Sequence, residues 1–464
     1  MEKSLSEGTD SAVLNLYEKR EKIYARSVEG FFQNIRLFTG WPLLVAYFGC
    51  PWLLWGGRQS VLFDLPERKF HIFSLTFWPQ DFSLLAWALV IAAFMLFFIT
   101  TLLGRVWCGY TCPQTVWTAI FMWAEQVSEG DRHQRINLDK QSWNFEKVWR
   151  RSLKHVLWLG FAFLTGLTFV SYFYDMRSLI VDTHNFDLPL AAVSWVGFFT
   201  VATYINAGWM REQVCMYMCP YARFQSAMFD KDTLIVSYDE QRGDPRGSRK
   251  RGEEGTTKGD CIDCTMCVQV CPTGIDIRDG LQYECINCAL CVDACDSIMD
   301  KMEYDRGLIR YTTESQLEGK AWTWKRPKLI GYGLAMIVMV SAFSFILISR
   351  IPLGLDVLRS RGMLFQEVPG GYVQNIYTLK VLNMDKQDRI YNVQVTGLPG
   401  YRLAPDEPIP VLAGQIGEVV VNLLVNPDLL MQVNTPIRFE VQTEDGELRV
   451  SSKSTYIGPR PIDD

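Results

Sequence analysis

Eight cysteines in thirty-five residues leave the segment from Cys261 to Cys295 few ways to fold. It reads Cys261-Ile-Asp-Cys264-Thr-Met-Cys267-Val-Gln-Val-Cys271-Pro272, and a thirteen-residue spacer separates Cys271 from Cys285-Ile-Asn-Cys288-Ala-Leu-Cys291-Val-Asp-Ala-Cys295. Two copies of Cys-x-x-Cys-x-x-Cys-x-x-x-Cys form the bacterial two-cluster pattern, in which each run gives three thiolates to one cubane and its fourth to the other. This assigns Cys261, Cys264, Cys267 and Cys295 to one 4Fe-4S cluster, and Cys285, Cys288, Cys291 and Cys271 to the second. Structural zinc is the competing reading, but four-ligand zinc sites show two separated pairs rather than a triplet plus one. The second run ends Cys295-Asp296 where the general pattern has proline, which leaves ligation intact.

Of the thirteen cysteines none follows Cys295, so a disulfide-stapled secreted chain is excluded. A net charge of -5 argues against nucleic acid as a partner. Five stretches are apolar enough to span a bilayer, near 36–55, 82–103, 153–174, 188–208 and 328–349. The first holds Gly40, Pro42, Gly49 and Pro51 and is expected to be kinked or to start late. No signal peptide is expected, because a charged segment of some 35 residues with Lys19, Arg20, Lys22 and Arg26 precedes the first apolar run. That segment reads as a cytoplasmic amphipathic lead-in or, equally, as a disordered polar tail.

Orientation follows from Lys and Arg. Arg105, Arg132, Arg135, Lys140, Lys147, Arg150 and Arg151 lie between the second and third spans, whereas Arg177 stands among Asp175, Asp182 and Asp187 in the next loop. Arg242, Arg246, Arg249, Lys250, Arg251 and Lys258 precede the cluster motif. The expected topology therefore has the N-terminus (1–35) and the cluster-bearing region (209–327) in the cytoplasm. A four-helix region (36–208) and a fifth helix (328–349) lie in the membrane, and residues 350–464 lie outside.

From about Gly371 the pattern changes to period two, in Val373–Leu382, Ile390–Val395, Glu418–Val425 and Ile437–Val441, with turns at Gly397–Gly400, Asn426–Asp428 and Asp445-Gly446. Short strands at this spacing predict an immunoglobulin-like β-sandwich, with a small barrel as the competitor. The expected fold class is thus a multi-domain membrane protein: an α-helical transmembrane bundle, an inserted two-cluster ferredoxin domain and a C-terminal β-sandwich.

Two further pairs follow apolar helices, Cys108-Gly-Tyr-Thr-Cys112-Pro113 and Cys215-Met-Tyr-Met-Cys219-Pro220. A separation of four puts both thiols on one face if the segment is helical, and the proline then frees a carbonyl or breaks the helix. Brought together, Cys108, Cys112, Cys215 and Cys219 would form a soft site for Cu(I), zinc or another iron-sulfur centre, and Met216 and Met218 tilt the choice to copper. The plainer reading is small cysteines filling helix contacts, as is expected of Cys50. His71 and His184 fall in external loops, where they are candidate copper ligands or solvated groups; His133 and His155 lie on the cytoplasmic side.

Cys108–Trp117, Arg211–Gln225, Ser237–Gly243 and the two cluster runs together resemble the cytochrome c oxidase accessory protein family, known as CcoG, FixG or RdxA. The resemblance covers most of the chain. It implies a bacterial inner-membrane protein needed for assembly of the cbb3-type haem-copper oxidase, with the C-terminal domain periplasmic, that reduces Cu(II) to Cu(I) and works with copper-delivery proteins. It places the cluster ligands on the eight cysteines above and the membrane pairs on Cys108, Cys112, Cys215 and Cys219. The electron donor is an unidentified cytoplasmic protein. Two rivals are a subunit wiring quinol to a redox partner without copper chemistry, and a scaffold whose clusters are only structural.

Overall fold

The apolar stretches become helices whose ends are fixed by glycine, proline and aromatic side chains. In a computed structural model, residues 22–249, 258–360, 362–385 and 387–459 are described. Lys19, Arg20, Lys250 and Arg251 lie outside them. Residues 22–29, the described part of the charged segment before α1, form neither helix nor strand and are strapped to the rest of the fold. Lys22 and Tyr24 reach Asp139, and the Arg26 amide donates to the Gln269 carbonyl at 2.8 Å.

Helix α1 (Phe31–Gly49) is followed by two small sheets, β1 (Leu54–Trp55) with β2 (Arg58–Gln59), and β3 (Val61–Asp64) with β4 (Lys69–Ile72) and β5 (Leu75–Phe77), which the sequence reading did not foresee. Then come α2 (Phe82–Leu103), α3 (Val106–Tyr110), α4 (Pro113–Glu129), α5 (Arg132–Lys140), α6 (Phe145–Ser171), α7 (Met176–Asn185) and α8 (Leu190–Thr203). Helix α8 continues as a π-helical stretch, Tyr204–Met210, and a second one, Val214–Met218, leads into α9 (Pro220–Met228). The widened turns are visible in the Arg211 amide donating to the Asn206 carbonyl and the Cys219 amide to that of Val214, each at 2.8 Å.

Four segments are long and apolar enough to cross a membrane among the described residues: Pro79–Leu103, Phe145–Ser171, Leu190–Met210 and Pro327–Ile348. The first expected span is not among them. Its helix starts earlier and stops at Gly49, because Gln33, Asn34 and Arg36 sit in its first turns and Cys50-Pro51-Trp52 closes it with a 3-10 turn. Yet α1 runs the depth of the bundle. Its first amides, Phe32 and Gln33, donate to the Asp293 carboxylate of the cluster domain at 3.1 and 2.8 Å. At its other end the Tyr47 hydroxyl donates to the Thr165 carbonyl, and the Tyr172 hydroxyl to that of Tyr47, both at 2.8 Å.

Helices α6 and α8 pack closely at a glycine: a Cβ on Gly166 would meet the Val196 carbonyl at 2.8 Å, and the Phe169 and Phe199 rings meet tilted, with centroids 3.9 Å apart. The cluster region consists of β6 (Ile235–Tyr238), α10 (Glu240–Gly243), α11 (Met266–Gln269), α12 (Leu290–Met302), β7 (Ile309–Thr312) and α13 (Glu314–Leu317). Strands β6 and β7 pair antiparallel and close it at its two ends. The last long helix, α14 (Pro327–Ile348), is anchored by Arg326, which bonds Asp230 at 2.9 Å and the Thr101 carbonyl at 3.1 Å.

The chain divides into Met1–Val340 and Ser341–Asp464, a boundary that falls inside α14. The second unit is a sandwich of β8 (Leu353–Arg359), β9 (Gln366–Val368), β10 (Tyr372–Asn383), β11 (Arg389–Thr396), β12 (Arg402–Ala404), β13 (Ile409–Val411), β14 (Ile416–Val425), β15 (Asn434–Thr443) and β16 (Arg449–Ile457). One sheet has the order β12-β14-β10-β8 with β9 on β10, the other β13-β11-β15-β16. Alternate residues of β10 are buried between them, as period two requires. Tyr377, fully buried, donates its hydroxyl across the core to the Thr455 carbonyl at 2.9 Å. Tyr377→Phe removes that bond and leaves the carbonyl without this donor, so the sandwich transition of the full chain should lose about 1–2 kcal/mol in a denaturant titration.

Candidate iron-sulfur and membrane-thiol sites

Each half of the double cysteine motif bends at the same two places. Asp263 and Thr265 in the first run, and Asn287 and Ala289 in the second, all have φ between 54° and 56°. Asp and Asn tolerate the left-handed region, whereas Thr and Ala are held there against their preference, which local packing must enforce. The bends curl each triplet around a cavity. One cavity, of about 360 Å³, is lined by Cys261, Cys264, Cys267 and Cys295 with Tyr238, Ile298, Met299, Leu308 and Ile309. The other, of about 350 Å³, is lined by Cys271, Cys285, Cys288 and Cys291, and Cys267 also touches its wall.

The four cysteines read from the sequence as one ligand set line the first cavity, and the four of the other set line the second together with Cys267. Among the described residues no three His, Cys, Asp or Glu side chains converge on a single-ion site. Sulfurs arranged around apolar cavities suit a polynuclear iron-sulfur cubane, and the donor set fits it. Burial pushes the Cys267, Cys285 and Cys295 thiols up to about 12. Free of metal they are neutral thiols packed in a core, and iron is what would compensate their negative charge. Each site has two buried cysteines, and the sites differ in that Cys264 is exposed whereas Cys271 and Cys291 are half-buried.

The membrane pairs are built alike. Cys108 sits in the short helix α3, and Cys112 is the N-cap of α4 with Pro113 as its first residue. Cys215 sits in the second π-helical stretch, and Cys219 is the N-cap of α9 with Pro220 first. Of the two outcomes expected for the proline, the helix breaks and restarts, a position where the missing N–H costs nothing. The four thiols lie near enough to oppose one another's ionisation, without three of them converging on a single point. Burial pushes Cys108 up to about 11, with Cys112 and Cys219 adding to it, and Cys215 up to about 12, with Cys112, Cys108 and Cys219 adding to it. The Cys108 sulfur accepts from the Gln225 side-chain amide at 3.5 Å, and Gln225 is fully buried. A third cavity, of about 510 Å³, opens beside Cys215 between Arg36, Arg211, Glu212 and Met122 on one side and Pro272, Thr273 and Ile286 of the cluster domain on the other.

The four thiols share the absence of a preformed three-donor geometry, and Met218 is 59% exposed, so the expected thioether contribution from that residue is not seen. His71, expected in an exposed loop, is buried in the β3–β5 sheet with its Nδ1 3.1 Å from the Thr76 hydroxyl. His184 and His133 are exposed, and His155 Nδ1 lies 2.7 Å from the Tyr204 hydroxyl. Cys50 closes α1, apart from the other cysteines. Sequence reasoning missed Arg105, Gly109 and Gln225 as site residues. Gly109 and Gln225 lie inside the quoted motifs, whereas Arg105 was weighed only as a charge.

Residues 210–314 match the 4Fe-4S dicluster domain family, residues 85–127 a 4Fe-4S binding domain, and residues 343–459 the immunoglobulin-like fold at the C-terminus of FixG. The nitrogen fixation protein FixG of Rhizobium meliloti is 39% identical over 423 residues, which cover 83% of this chain and 81% of that protein. Proteins RdxB and RdxA of Cereibacter sphaeroides are each 40% identical, over 409 and 404 residues, covering 83% of this chain and 84% and 85% of theirs. A FixG-related protein from Vibrio parahaemolyticus of solved structure is 32% identical and covers 23% of this chain and 95% of that one, with a TM-score of 0.22.

Proposed function

The chain belongs to the FixG family, and from that premise we propose that it is a membrane iron-sulfur oxidoreductase that reduces Cu(II) to Cu(I) for assembly of a cbb3-type oxidase. The observation that carries the reading is that soft sulfur and electron supply share one body. Cys108 packs against the core formed by Val270, Ile286, Cys288, Leu290 and Ala294, so the membrane thiols adjoin the ligand loop of a cluster site. The two 4Fe-4S clusters supply one-electron transfer when bound.

The protein's own groups hold and orient the copper substrate. Cys108, Cys112, Cys215 and Cys219 offer sulfur that prefers Cu(I), so each Cu(II) that takes one electron is captured in the state it has reached. The electron is restored by a reduced one-electron carrier on the cluster side. Cu(I) leaves towards copper-delivery proteins. The positive residues between α2 and α6 and before the cluster motif support a cytoplasmic face for the clusters, and one further crossing by α14 then takes the sandwich to the periplasm of the inner membrane.

Purified full-length protein, reduced and then freed of excess reductant, should convert added Cu(II) to Cu(I) seen by a Cu(I)-specific chromophoric chelator, while its clusters reoxidise. Intact clusters that yield no Cu(I) overturn the reading. One specific observation favours a second reading: residues 85–127, which contain Cys108 and Cys112, match a 4Fe-4S binding domain. On it, the four thiols carry a further iron-sulfur centre and wire quinol to a redox partner, so the protein binds no copper.

A further inference from the structure

The double motif is symmetric in sequence, but its two cluster sites are not equivalent in the fold. Gly109 and Arg105 of the membrane motif are seated on the ligand loop of one of them. A Cβ on Gly109 would sit 2.8 Å from the Ile286 carbonyl oxygen, 3.0 Å from that of Asn287 and 3.0 Å from the Cys288 Cα. This backbone-to-backbone approach leaves no room for a side chain one residue after Cys108. Five residues earlier the chain makes a second close approach: a Cβ on Gly104 (φ 63°) would lie 2.7 Å from the Asn287 side-chain nitrogen and 2.4 Å from the Leu234 carbonyl oxygen.

Arg105, buried between them, completes the joint. Its guanidinium donates to the Cys285 carbonyl at 3.3 Å, to the Tyr283 carbonyl and, on the other membrane motif, to the Ala222 carbonyl at 3.1 Å. Arg36 holds the Gly109 carbonyl from the α1 side at 3.1 Å. Tyr110 meets the Tyr311 hydroxyl at 3.1 Å, and Tyr311 in turn donates to the Asn287 carbonyl. Cys215 faces Pro272 and Thr273, the neighbours of Cys271, across the third cavity. No residue of 104–118 or 211–225 lines either cluster cavity, so the asymmetry lies in the loop that carries the ligands: Gly109 and Arg105 sit on the Cys285–Cys288 loop, whereas Cys264 of the other site is exposed.

We infer that the site of Cys271, Cys285, Cys288 and Cys291 is the inner one, coupled to the membrane thiols through the Cys108-Gly109 backbone seated on Ile286–Cys288, with Gly109 and Arg105 as its positioning residues. The site of Cys261, Cys264, Cys267 and Cys295 is the outer one, open to a donor at Cys264. This deepens the proposed function and rests on it for what the membrane thiols do with an electron, but not for which site they touch.

The test is an EPR-monitored redox titration of the full chain, with the two cluster signals assigned by Cys264→Ser and Cys291→Ser. Gly109→Ala should shift the line shape and midpoint potential of the inner signal and leave the outer one unchanged. Gly160→Ala, where an added Cβ meets nothing within 4 Å, should shift neither. Should Gly109→Ala not fold, Arg105→Lys, which keeps the charge but loses the fork, should give the same selective shift. A shift of the outer signal, of both equally, or of neither overturns the inference. Cu(II) reduction is measured on the same samples, and its absence from the wild type would count against the copper reading alone.

Discussion

Replacing all four membrane thiols, Cys108→Ala/Cys112→Ala/Cys215→Ala/Cys219→Ala, should abolish Cu(II) reduction to the uncatalysed background while both clusters stay. The clusters should survive because neither four-sulfur cavity is lined by any of the four residues. Each change removes one sulfur from a position that is intermediate in burial, so the packing loss is smaller than for a fully buried side chain. The main contacts of the motif with the cluster domain, at Gly109 and Arg105, are backbone and guanidinium contacts that the variant keeps. Metal analysis with optical and EPR spectra checks the outcome. Unchanged iron with copper binding and reduction both lost is the expected result. Iron lost together with the thiols, and no copper in the wild type, would assign the four sulfurs to a further iron-sulfur centre. Full copper reduction in the variant would remove these residues from the site altogether.

Which parts of this protein were legible in advance follows from the range of the forces involved. Ligand spacing is local, so Cys261–Cys295 could be assigned to two crossed sites before any fold was known. Helix length and apolarity are local too, and α2, α6, α8 and α14 were placed to within a few residues except at the start of α6. That helix begins at Phe145 rather than 153, because Asn144 caps it through the Lys147 amide at 2.8 Å and its charged first turns lie against α5. Period two located β10, β11, β14 and β15, but the edge strands β8, β9, β12, β13 and β16 carry weaker alternation and were not foreseen.

What could not be read is whatever depends on two distant segments meeting. A glycine in Cys108-Gly109-Tyr110 looks like turn chemistry until the Ile286–Cys288 backbone is seen against it. Arg105 entered the topology argument as a cytoplasmic positive charge, whereas its guanidinium is buried and spends its donors on three carbonyls. For α1 the apolar stretch near 36–55 was legible, but not that the helix starts at Phe31 and sets its first amides on Asp293.

Glu125→Ala should destabilise the membrane unit by about 3–5 kcal/mol, the cost of leaving buried charges without their partner. Glu125 lies on α4, 2% exposed, and accepts from Arg135 at 2.8 Å and from Arg211 at 2.6 Å. Burial pushes its carboxyl up, but Arg211 and then Arg135 more than offset this and hold it below the usual range. A carboxylate depressed in the folded state contributes stability above its unfolded pKa, and that contribution is lost as pH falls through the folded value. The wild type should therefore lose thermal stability on acidification below its ordinary value of 4.5, and Glu125→Gln should be less stable at neutral pH and lose less below it. The effect should also reach the thiols. Arg211 has a left-handed backbone, φ 46°, at the end of the first π-helical stretch and four residues before Cys215, so Glu125 fixes the direction in which the second pair leaves α8. A strained residue keeps its conformation only while its surroundings hold it there. Thermal unfolding in detergent against pH, with Cu(II) reduction measured on the folded variant, separates the two consequences. A Glu125→Gln protein as stable as the wild type at neutral pH would show that the pair repays no more than its own desolvation.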